Sequence, residues 1–278
     1  MNMNFLQSLV MGFVSGFTEM LPVSAEAHRS IFRTFFGIDS EDAVFRLLVH
    51  LACLIALNVF YSHDILELRR TNHLLKIPPR RRKKPMDMAS ANTVRLLRSA
   101  TTVMLVCKIF TIWLGFIGEK LNLLPAALIV NGFLLLIPSL VRSGNMESRN
   151  MPRMNGVLMG FGGGLSVIPG ISPVGGAVSL GQWRGVERKY ALKFAYILLI
   201  PGLGIQILFD VFSIFMGGAA AFSGTGLLCA VIGSAAAGFS CNLGLKLMHY
   251  LAQRIDFSCF AYYSWGTALL CFVLFLMI

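Results

Sequence analysis

Long apolar runs dominate this chain, and short polar connections separate them at intervals that fit helices crossing a membrane. Each run is close to the roughly 20 residues that a helix needs to cross the hydrocarbon core of a bilayer. The pattern predicts full spans over residues 43–61, 101–117, 123–141, 192–217, 227–248 and 260–278. Strand signals are absent from the pattern. The sequence therefore predicts an all-α integral membrane protein, a polytopic helical bundle.

Two further apolar segments, residues 5–36 and 155–180, are interrupted by polar residues, glycine and proline. The first segment holds Pro22 and Ser24, and the second holds Pro169 and Ser172. Unpaired backbone groups are costly in hydrocarbon, so a broken membrane helix persists where protein encloses the break or where the break lines a watery cavity. We therefore interpret both segments as re-entrant hairpins made of broken helices.

The matching breaks also predict an internal repeat. Corresponding interrupted segments in the two halves of a membrane chain are typical of inverted repeats with a binding site between them. We expect one membrane domain, residues 1–278, with half-repeats of roughly residues 1–118 and 119–278. A pseudo-twofold axis in the membrane plane should bring Pro22 and Pro169 close together.

Composition and charge agree with a membrane protein. Of 278 residues, 56% are hydrophobic and 13% are charged, which is about half the charged fraction of ordinary soluble domains. The net charge of +11 is concentrated in residues 62–99, and the positive-inside rule predicts that this segment is a cytoplasmic loop between spans. We expect the loop to rest on anionic lipid rather than on nucleic acid. The six scattered cysteines are interpreted as small buried hydrophobes.

The first break carries the residues best suited to chemistry. Glu19, Ser24 and His28 supply a proton acceptor, a hydroxyl and a group that titrates near neutrality, which are the ingredients of phosphoryl or acyl transfer. The alternative is a polar helix end whose side chains only satisfy freed backbone groups, and the spacing leaves both interpretations open. Thr18 lies in the same segment. Glu26 is interpreted as a helix-terminus charge that faces the membrane interface.

Four other ionisable residues lie in the apolar segments: Arg46, His50, Lys108 and Asp210. Ionisable groups inside a membrane are functional by default. We nevertheless interpret Arg46 and Lys108 as snorkelling or paired, and Asp210 as a residue near the end of a span. His50 is interpreted as a satisfied histidine in the interior of the bundle.

The second break offers glycine rather than charge. Gly170 and Gly175 belong to a glycine cluster, which also includes Gly162 and Gly176, and this cluster would let backbone N–H groups approach a phosphate closely. The alternative is helix packing through small residues, which is common in membranes. Residues 169–181 contain no arginine or lysine that could hold an anion.

These motifs resemble those of the undecaprenyl-diphosphate phosphatases, also called bacitracin-resistance proteins. The family's first motif, G-x-x-E-G-x-T-E-F-L-P-x-S-S-T-G-H, is similar to residues 12–28, and its second motif, P-G-x-S-R-S-G-A-T, is similar to residues 169–172 followed by Gly175. Arg188 matches an arginine that the family commonly has, and residues 257–263 resemble the family's F-x-x-F-A-Y-Y. The resemblance runs nearly from end to end.

The resemblance implies roles for particular residues. Glu19, Ser24 and His28 would be catalytic, and substrate would be bound by residues that include Thr18, Gly170, Ser172, Gly175 and Arg188. Glu19 is also implied as a ligand of a divalent cation, Mg²⁺ or Ca²⁺. The bacterial plasma membrane is the implied location.

The chain departs from the family pattern where the family's chemistry lies. The first motif glutamate is Ser15, the second serine is Ala25, and the threonine-glycine pair is Glu26-Ala27. The Arg-Ser pair of the second motif is Pro173-Val174. Arg29, Arg184 and Arg188 are candidates to supply the missing charge. Loss of one electrostatic contact from an enclosed site commonly costs roughly 3–4 kcal/mol, or about a hundred- to a thousandfold in rate.

Two functions therefore remain open at the level of the sequence. The first is a hydrolase that removes the terminal phosphate from a polyprenyl diphosphate during recycling of the lipid carrier for cell-wall synthesis. The second is an inactive paralogue that binds or transports polyprenyl phosphate or a related anionic lipid. In either case the expected partners are the polyprenyl lipid and membrane lipids, with no nucleic acid, and the chain is a candidate homodimer.

Overall fold

The computed structural model of the chain describes residues 3–38, 42–82, 86–114, 123–141, 144–217 and 224–277. Within these ranges the chain is helical and contains no strand beyond an isolated bridge between Met146 and Val186. The helices are α1 (Phe5–Met20), α2 (Ala25–Phe36), α3 (Ala43–Phe60), α4 (Ser62–Leu75), α5 (Met88–Leu114), α6 (Leu124–Leu140), α7 (Arg153–Gly164), α8 (Pro173–Trp183), α9 (Arg188–Gly217), α10 (Gly224–Leu251) and α11 (Ser258–Met277). The prediction of an all-α architecture is confirmed.

Three helices of the described chain are long and apolar enough to cross a membrane: α3, α9 and α10. Shorter apolar helices occur in α6 and α11. These five helices match five of the six predicted spans. The sixth, residues 101–117, coincides with the second half of α5, and its last three residues lie outside the described ranges. The apolar helices make this chain a membrane protein.

The basic segment 62–99 is largely helical. Helix α4 covers Ser62–Leu75 and α5 begins at Met88. The interruption falls where Pro78 and Pro79 lie, since proline lacks the N–H that a continuous helix needs. Lys193 of α9 binds Asp64 of α4 at 2.5 Å between Nζ and Oδ1. The cytoplasmic location of the segment stays a prediction.

Small residues let the helices of the core approach closely. A Cβ added to Gly12 of α1 would lie 2.0 Å from the carbonyl oxygen of Gly233 in α10, and one added to Gly162 of α7 would lie 2.3 Å from the carbonyl oxygen of Gly176 in α8. Such backbone contacts are typical of helix packing in membranes. The packing interpretation of the glycine cluster therefore holds at Gly162 and Gly176.

The helices around the two broken segments have corresponding neighbours. Helix α1 packs on α10, and α7 packs on α5. Helix α10 also packs on α3, and α5 packs on α9. The contact between α3 and α9 joins the two sets. Helix α6 packs on α8 and α11.

Candidate functional site

The first break separates α1 from α2 and is stabilised by hydrogen bonds within the protein. The Ser24 side chain caps α2, because its Oγ accepts the N–H of Ala27 at 3.2 Å. At the end of α1, the carbonyl oxygen of Met20 accepts the hydroxyl of Tyr196 at 2.5 Å. These contacts satisfy two of the backbone groups that the break frees from the hydrogen bonds of a continuous helix.

The second break has the same construction. A 3₁₀ turn at Leu165–Val167 follows α7, and α8 begins at Pro173. Ser172 caps α8, since its Oγ accepts the N–H of Gly175 at 3.1 Å. Gly170 has φ 113°, a conformation that L side chains rarely adopt, and a Cβ there would lie 2.6 Å from the Cβ of Ala127. Glycine is therefore required at position 170.

The two breaks are bonded to each other through their capping serines. The N–H of Gly170 donates to Ser24 Oγ at 3.1 Å, and the Ser172 hydroxyl donates to the carbonyl oxygen of Leu21 at 3.3 Å. Each break thus supplies a polar partner to the backbone of the other. The prediction that the breaks share one location is confirmed.

A cavity of about 410 Å³ lies against both breaks. The first break contributes Glu19, Ser24, Glu26 and Arg29, and the second contributes Ser166, Pro169, Gly170 and Pro173. Helices α3, α5 and α9 close the remaining walls with His50, Lys108, Leu199, Leu203, Gln206 and Phe209. The cavity therefore combines apolar walls with a small set of charged groups.

The N-terminal ends of two helices face this cavity. Ala25 begins α2, Pro173 begins α8, and both residues line the cavity. Helix N-termini carry a partial positive charge and favour anions such as phosphate. The breaks therefore place two helix N-termini, each of which favours an anion, at the same cavity.

Acidic and basic side chains are paired in the cavity wall. Arg29, with a side chain that is 7% exposed, forms an ion pair with Glu26, which is 35% exposed. Lys108 is within electrostatic range of the half-buried Glu19. Glu26, interpreted from the sequence as a helix-terminus charge, lies in the first turn of α2, pairs with Arg29 and lines the cavity; its position relative to the membrane interface stays a prediction.

A second charged cluster lies at the edge of the cavity. His50 Nδ1 is 2.6 Å from Asp210 Oδ2, and Arg46 Nε is 3.4 Å from Asp210 Oδ1. The interpretation of His50 as a satisfied interior histidine is correct for Nδ1, which has Asp210 as its partner. It is incomplete for the residue as a whole, because His50 also lines the cavity. The predicted site omitted His50, Lys108 and Gln206.

His28 and Thr18 are not among the residues that line the cavity. His28 Nδ1 lies 2.7 Å from the Ser24 carbonyl oxygen, and Nε2 lies 2.7 Å from the Tyr263 hydroxyl. The imidazole also stacks on the Tyr263 ring. Thr18 donates its hydroxyl to the carbonyl oxygen of Val14 at 2.7 Å. Neither side chain joins Glu19 and Ser24 at the cavity wall, in contrast to the expected arrangement.

Three residues predicted to bind substrate also lie outside the cavity wall. The Ser172 side chain is fully buried between the breaks, and Gly175 packs against Leu135. Arg188 donates to the carbonyl oxygen of Ile255 at 2.7 Å, and its Nη2 lies 3.6 Å from Asp256 Oδ1. Of the arginines considered as replacements for the missing charge, the cavity holds Arg29.

Glu19, the residue that the resemblance implies as a metal ligand, lines the cavity. Across the described part of the chain, no group of three or more His, Cys, Asp or Glu side chains could hold a metal ion. Mg²⁺ is commonly held by one or two carboxylates together with substrate phosphates, and Glu19 fits that limited requirement. The divalent cation stays a prediction.

Comparison with known sequences identifies the family. The family described as bacitracin resistance protein BacA matches residues 8–270. The chain belongs to the BacA family.

Curated proteins named undecaprenyl-diphosphatase resemble the chain over almost its full length. An undecaprenyl-diphosphatase 1 of Shouchella clausii is 27% identical over 98% of this chain and 96% of that protein. An undecaprenyl-diphosphatase of Carboxydothermus hydrogenoformans is 27% identical over 95% of this chain and 94% of that protein. One from Methanobrevibacter smithii is 26% identical over 98% of both proteins.

Some of the positions that depart from the BacA motifs line the cavity, and others do not. Pro173 and Ala25, at the positions of the motif arginine and the second motif serine, line the cavity. Ser15, at the position of the first motif glutamate, is buried and donates its hydroxyl to the carbonyl oxygen of Met11 at 2.6 Å. Ala25 and Pro173 therefore alter the cavity wall itself, whereas Ser15 lies outside it.

Proposed function

We propose that this BacA-family chain hydrolyses undecaprenyl diphosphate to undecaprenyl phosphate and inorganic phosphate. The observation that carries the proposal is the cavity between the breaks, where two helix N-termini meet Arg29 and Lys108. A diphosphate in a low-dielectric site needs compensating positive charge. The names of the curated relatives support the same activity.

The groups in the cavity divide between binding and proton transfer. Arg29, Lys108 and the helix N-termini are suited to hold phosphate oxygens and to stabilise negative charge that develops during phosphoryl transfer. Ser24 Oγ already accepts the N–H groups of Ala27 and Gly170, so its own proton is available for a phosphate oxygen. Glu19 is the carboxylate proposed to accept or donate a proton.

The architecture that we propose is a pair of inverted repeats, each with a re-entrant broken-helix hairpin. Support comes from the corresponding neighbours of the two broken segments, α1 on α10 and α7 on α5. Both breaks also end in a serine that caps the following helix. If α7 corresponds to α1, the proposed second half begins at α7, and the boundary that we propose is later than residue 118.

The alternative, an inactive binder or transporter, rested on the missing motif arginine. Arg29 lines the cavity and supplies a guanidinium from the other break, so the loss of arginine at position 173 does not leave the site without one. The relatives are named as diphosphatases. The hydrolase is therefore the better-supported function.

The remaining features of the proposal concern the surroundings. We place the chain in the plasma membrane of a bacterium, where the polyprenyl lipid is recycled. A divalent cation at Glu19 would add positive charge to the diphosphate when bound. The homodimer stays a prediction.

Phosphate release tests the proposal directly. Purified protein in nanodiscs should release inorganic phosphate from undecaprenyl diphosphate, and Glu19→Gln should reduce the rate at least a hundredfold. Glu147→Gln, at an exposed acid outside the cavity wall, is the matched control and should leave the rate unchanged.

Restoring the family residues tests whether the site is a BacA-type site that has lost activity through substitutions in its motifs. The combined variant Ser15→Glu, Ala25→Ser, Pro173→Arg and Val174→Ser should release phosphate faster than the natural chain. If neither protein hydrolyses the lipid while the natural chain binds undecaprenyl phosphate, the binder or transporter replaces the hydrolase.

A further inference from the structure

His50 is placed for chemistry that the sequence motifs do not assign to it. It lies on α3, its side chain is 3% exposed, and it lines the cavity against both breaks. Its Nδ1 is bonded to Asp210 Oδ2 at 2.6 Å across 160 positions of sequence. The Asp210 side chain is 2% exposed, and a buried carboxylate in a membrane protein is retained where it is paired and functional.

The bond to Asp210 sets the proton arrangement of the His50 ring. A carboxylate only accepts hydrogen bonds, so Nδ1 must carry the proton and the neutral ring then has its lone pair on Nε2. Arg46 Nε, 3.4 Å from the second Asp210 oxygen, balances the charge of the carboxylate. No described residue forms a hydrogen bond with His50 Nε2.

The other histidine near the breaks has no such free nitrogen. Both ring nitrogens of His28 have partners, one on the Ser24 carbonyl oxygen and one on the Tyr263 hydroxyl. His28 also does not line the cavity. If a histidine transfers a proton in this cavity, the contacts favour His50.

We propose that His50 is a catalytic proton acceptor and that Asp210 is its positioning residue. The inference rests on the proposed function. His50 Nε2 takes a proton from water while the water oxygen forms a bond to the terminal phosphorus. The bond from that phosphorus to the bridging oxygen breaks, and the bridging oxygen keeps the electron pair as part of the polyprenyl monophosphate. The proton on His50 then passes to solvent or to the released phosphate.

His50→Asn separates proton transfer from packing. The Asn Nδ2 group corresponds to His Nδ1 and can still donate to Asp210, whereas the Nε2 base is lost. General acid–base catalysis contributes about a hundred- to ten-thousandfold. We therefore expect kcat for undecaprenyl diphosphate to fall at least a hundredfold, while KM changes less than about threefold and the melting temperature remains close to that of the natural chain.

Chemical rescue provides a readout that a structural role would not produce. His50→Ala opens space next to the cavity, and added imidazole should restore a measurable part of kcat in a concentration-dependent manner. Asp210→Asn should also lower kcat, and imidazole should not restore it, because the ring at position 50 still occupies its place. His249→Ala is the matched control: His249 bonds Tyr61 outside the cavity wall, so its activity should not respond to imidazole.

The outcomes distinguish this inference from the proposed function. If the natural chain releases phosphate and His50→Asn does so at an equal kcat, or if His50→Ala gains nothing from imidazole, His50 is not the proton acceptor and the proposed function stands. If the natural chain releases no phosphate, the proposed function and the role of His50 are both overturned.

Discussion

Replacing Arg29 by glutamine is the sharpest test of how this site holds phosphate. Arg29 is 7% exposed on its side chain, lines the cavity and pairs with Glu26. Loss of one preorganised charge contact to a reacting group costs about 3–4 kcal/mol, or roughly a hundred- to a thousandfold in rate. We expect a loss of that size in kcat/KM for undecaprenyl diphosphate.

The same substitution also removes the partner of Glu26, and this second effect must be separated. Breaking a buried ion pair on one side destabilises a protein by about 3–5 kcal/mol. Glu26 is 35% exposed, so water relieves part of that penalty and we expect about 1–2 kcal/mol. The double variant Glu26→Gln with Arg29→Gln removes both charges and should recover stability without recovering activity.

The assay is phosphate release from undecaprenyl diphosphate in nanodiscs, with thermal melting of each variant measured in parallel. Arg188→Gln is the matched control, because Arg188 binds Ile255 and Asp256 away from the cavity wall. If Arg29→Gln keeps its activity within about twofold, or if the double variant regains full activity, Arg29 does not contact the phosphate.

Three further predictions concern the cavity and its supports. Lys108→Gln should raise KM about ten- to a hundredfold through loss of a charge-assisted contact, measured by steady-state kinetics. Gly12→Ala places a Cβ 2.0 Å from the Gly233 carbonyl oxygen and should lower the melting temperature, since overpacking costs about 1–3 kcal/mol. Gly204→Ala is the control and should not lower the melting temperature, because a Cβ at Gly204 has nothing within 4 Å. Tyr196→Phe removes the hydroxyl that donates to the Met20 carbonyl oxygen and should destabilise the protein by about 1–3 kcal/mol, measured by thermal melting. Tyr262→Phe is the control and should leave the melting temperature unchanged, because Tyr262 is 64% exposed.

Much of the fold could be predicted because apolar length and helix breaks are local properties of a sequence. The run at residues 43–61 became α3, and Pro22 and Pro169 marked the interruptions that form the cavity. Charge alone did not show that α5 begins within residues 62–99. Lys and Arg are good helix formers, so a basic segment can be either a loop or the extension of a membrane helix beyond the bilayer.

The site was predictable only where its residues are set by the break itself. Glu19, Ser24 and Gly170 are such residues, and all three line the cavity. By contrast, His28 finds its partner Tyr263 235 positions away, and His50 finds Asp210 160 positions away. Spacing along the chain contains no signal for either pairing, so the sequence could not show that His50 lines the cavity and that His28 does not.

The hydrogen bonds between the breaks bear on how the protein can move. A transporter that exposes its site alternately to the two sides of a membrane by rocking one half against the other must separate Gly170 from Ser24 and Ser172 from Leu21. Each separation loses about 1 kcal/mol of hydrogen bonding, and about 1–3 kcal/mol more for each buried group left without a partner. Opening would therefore cost several kcal/mol in every cycle. We expect the two breaks to move together as one rigid unit. The lipid headgroup would then bind at a site that stays open to the same side of the membrane.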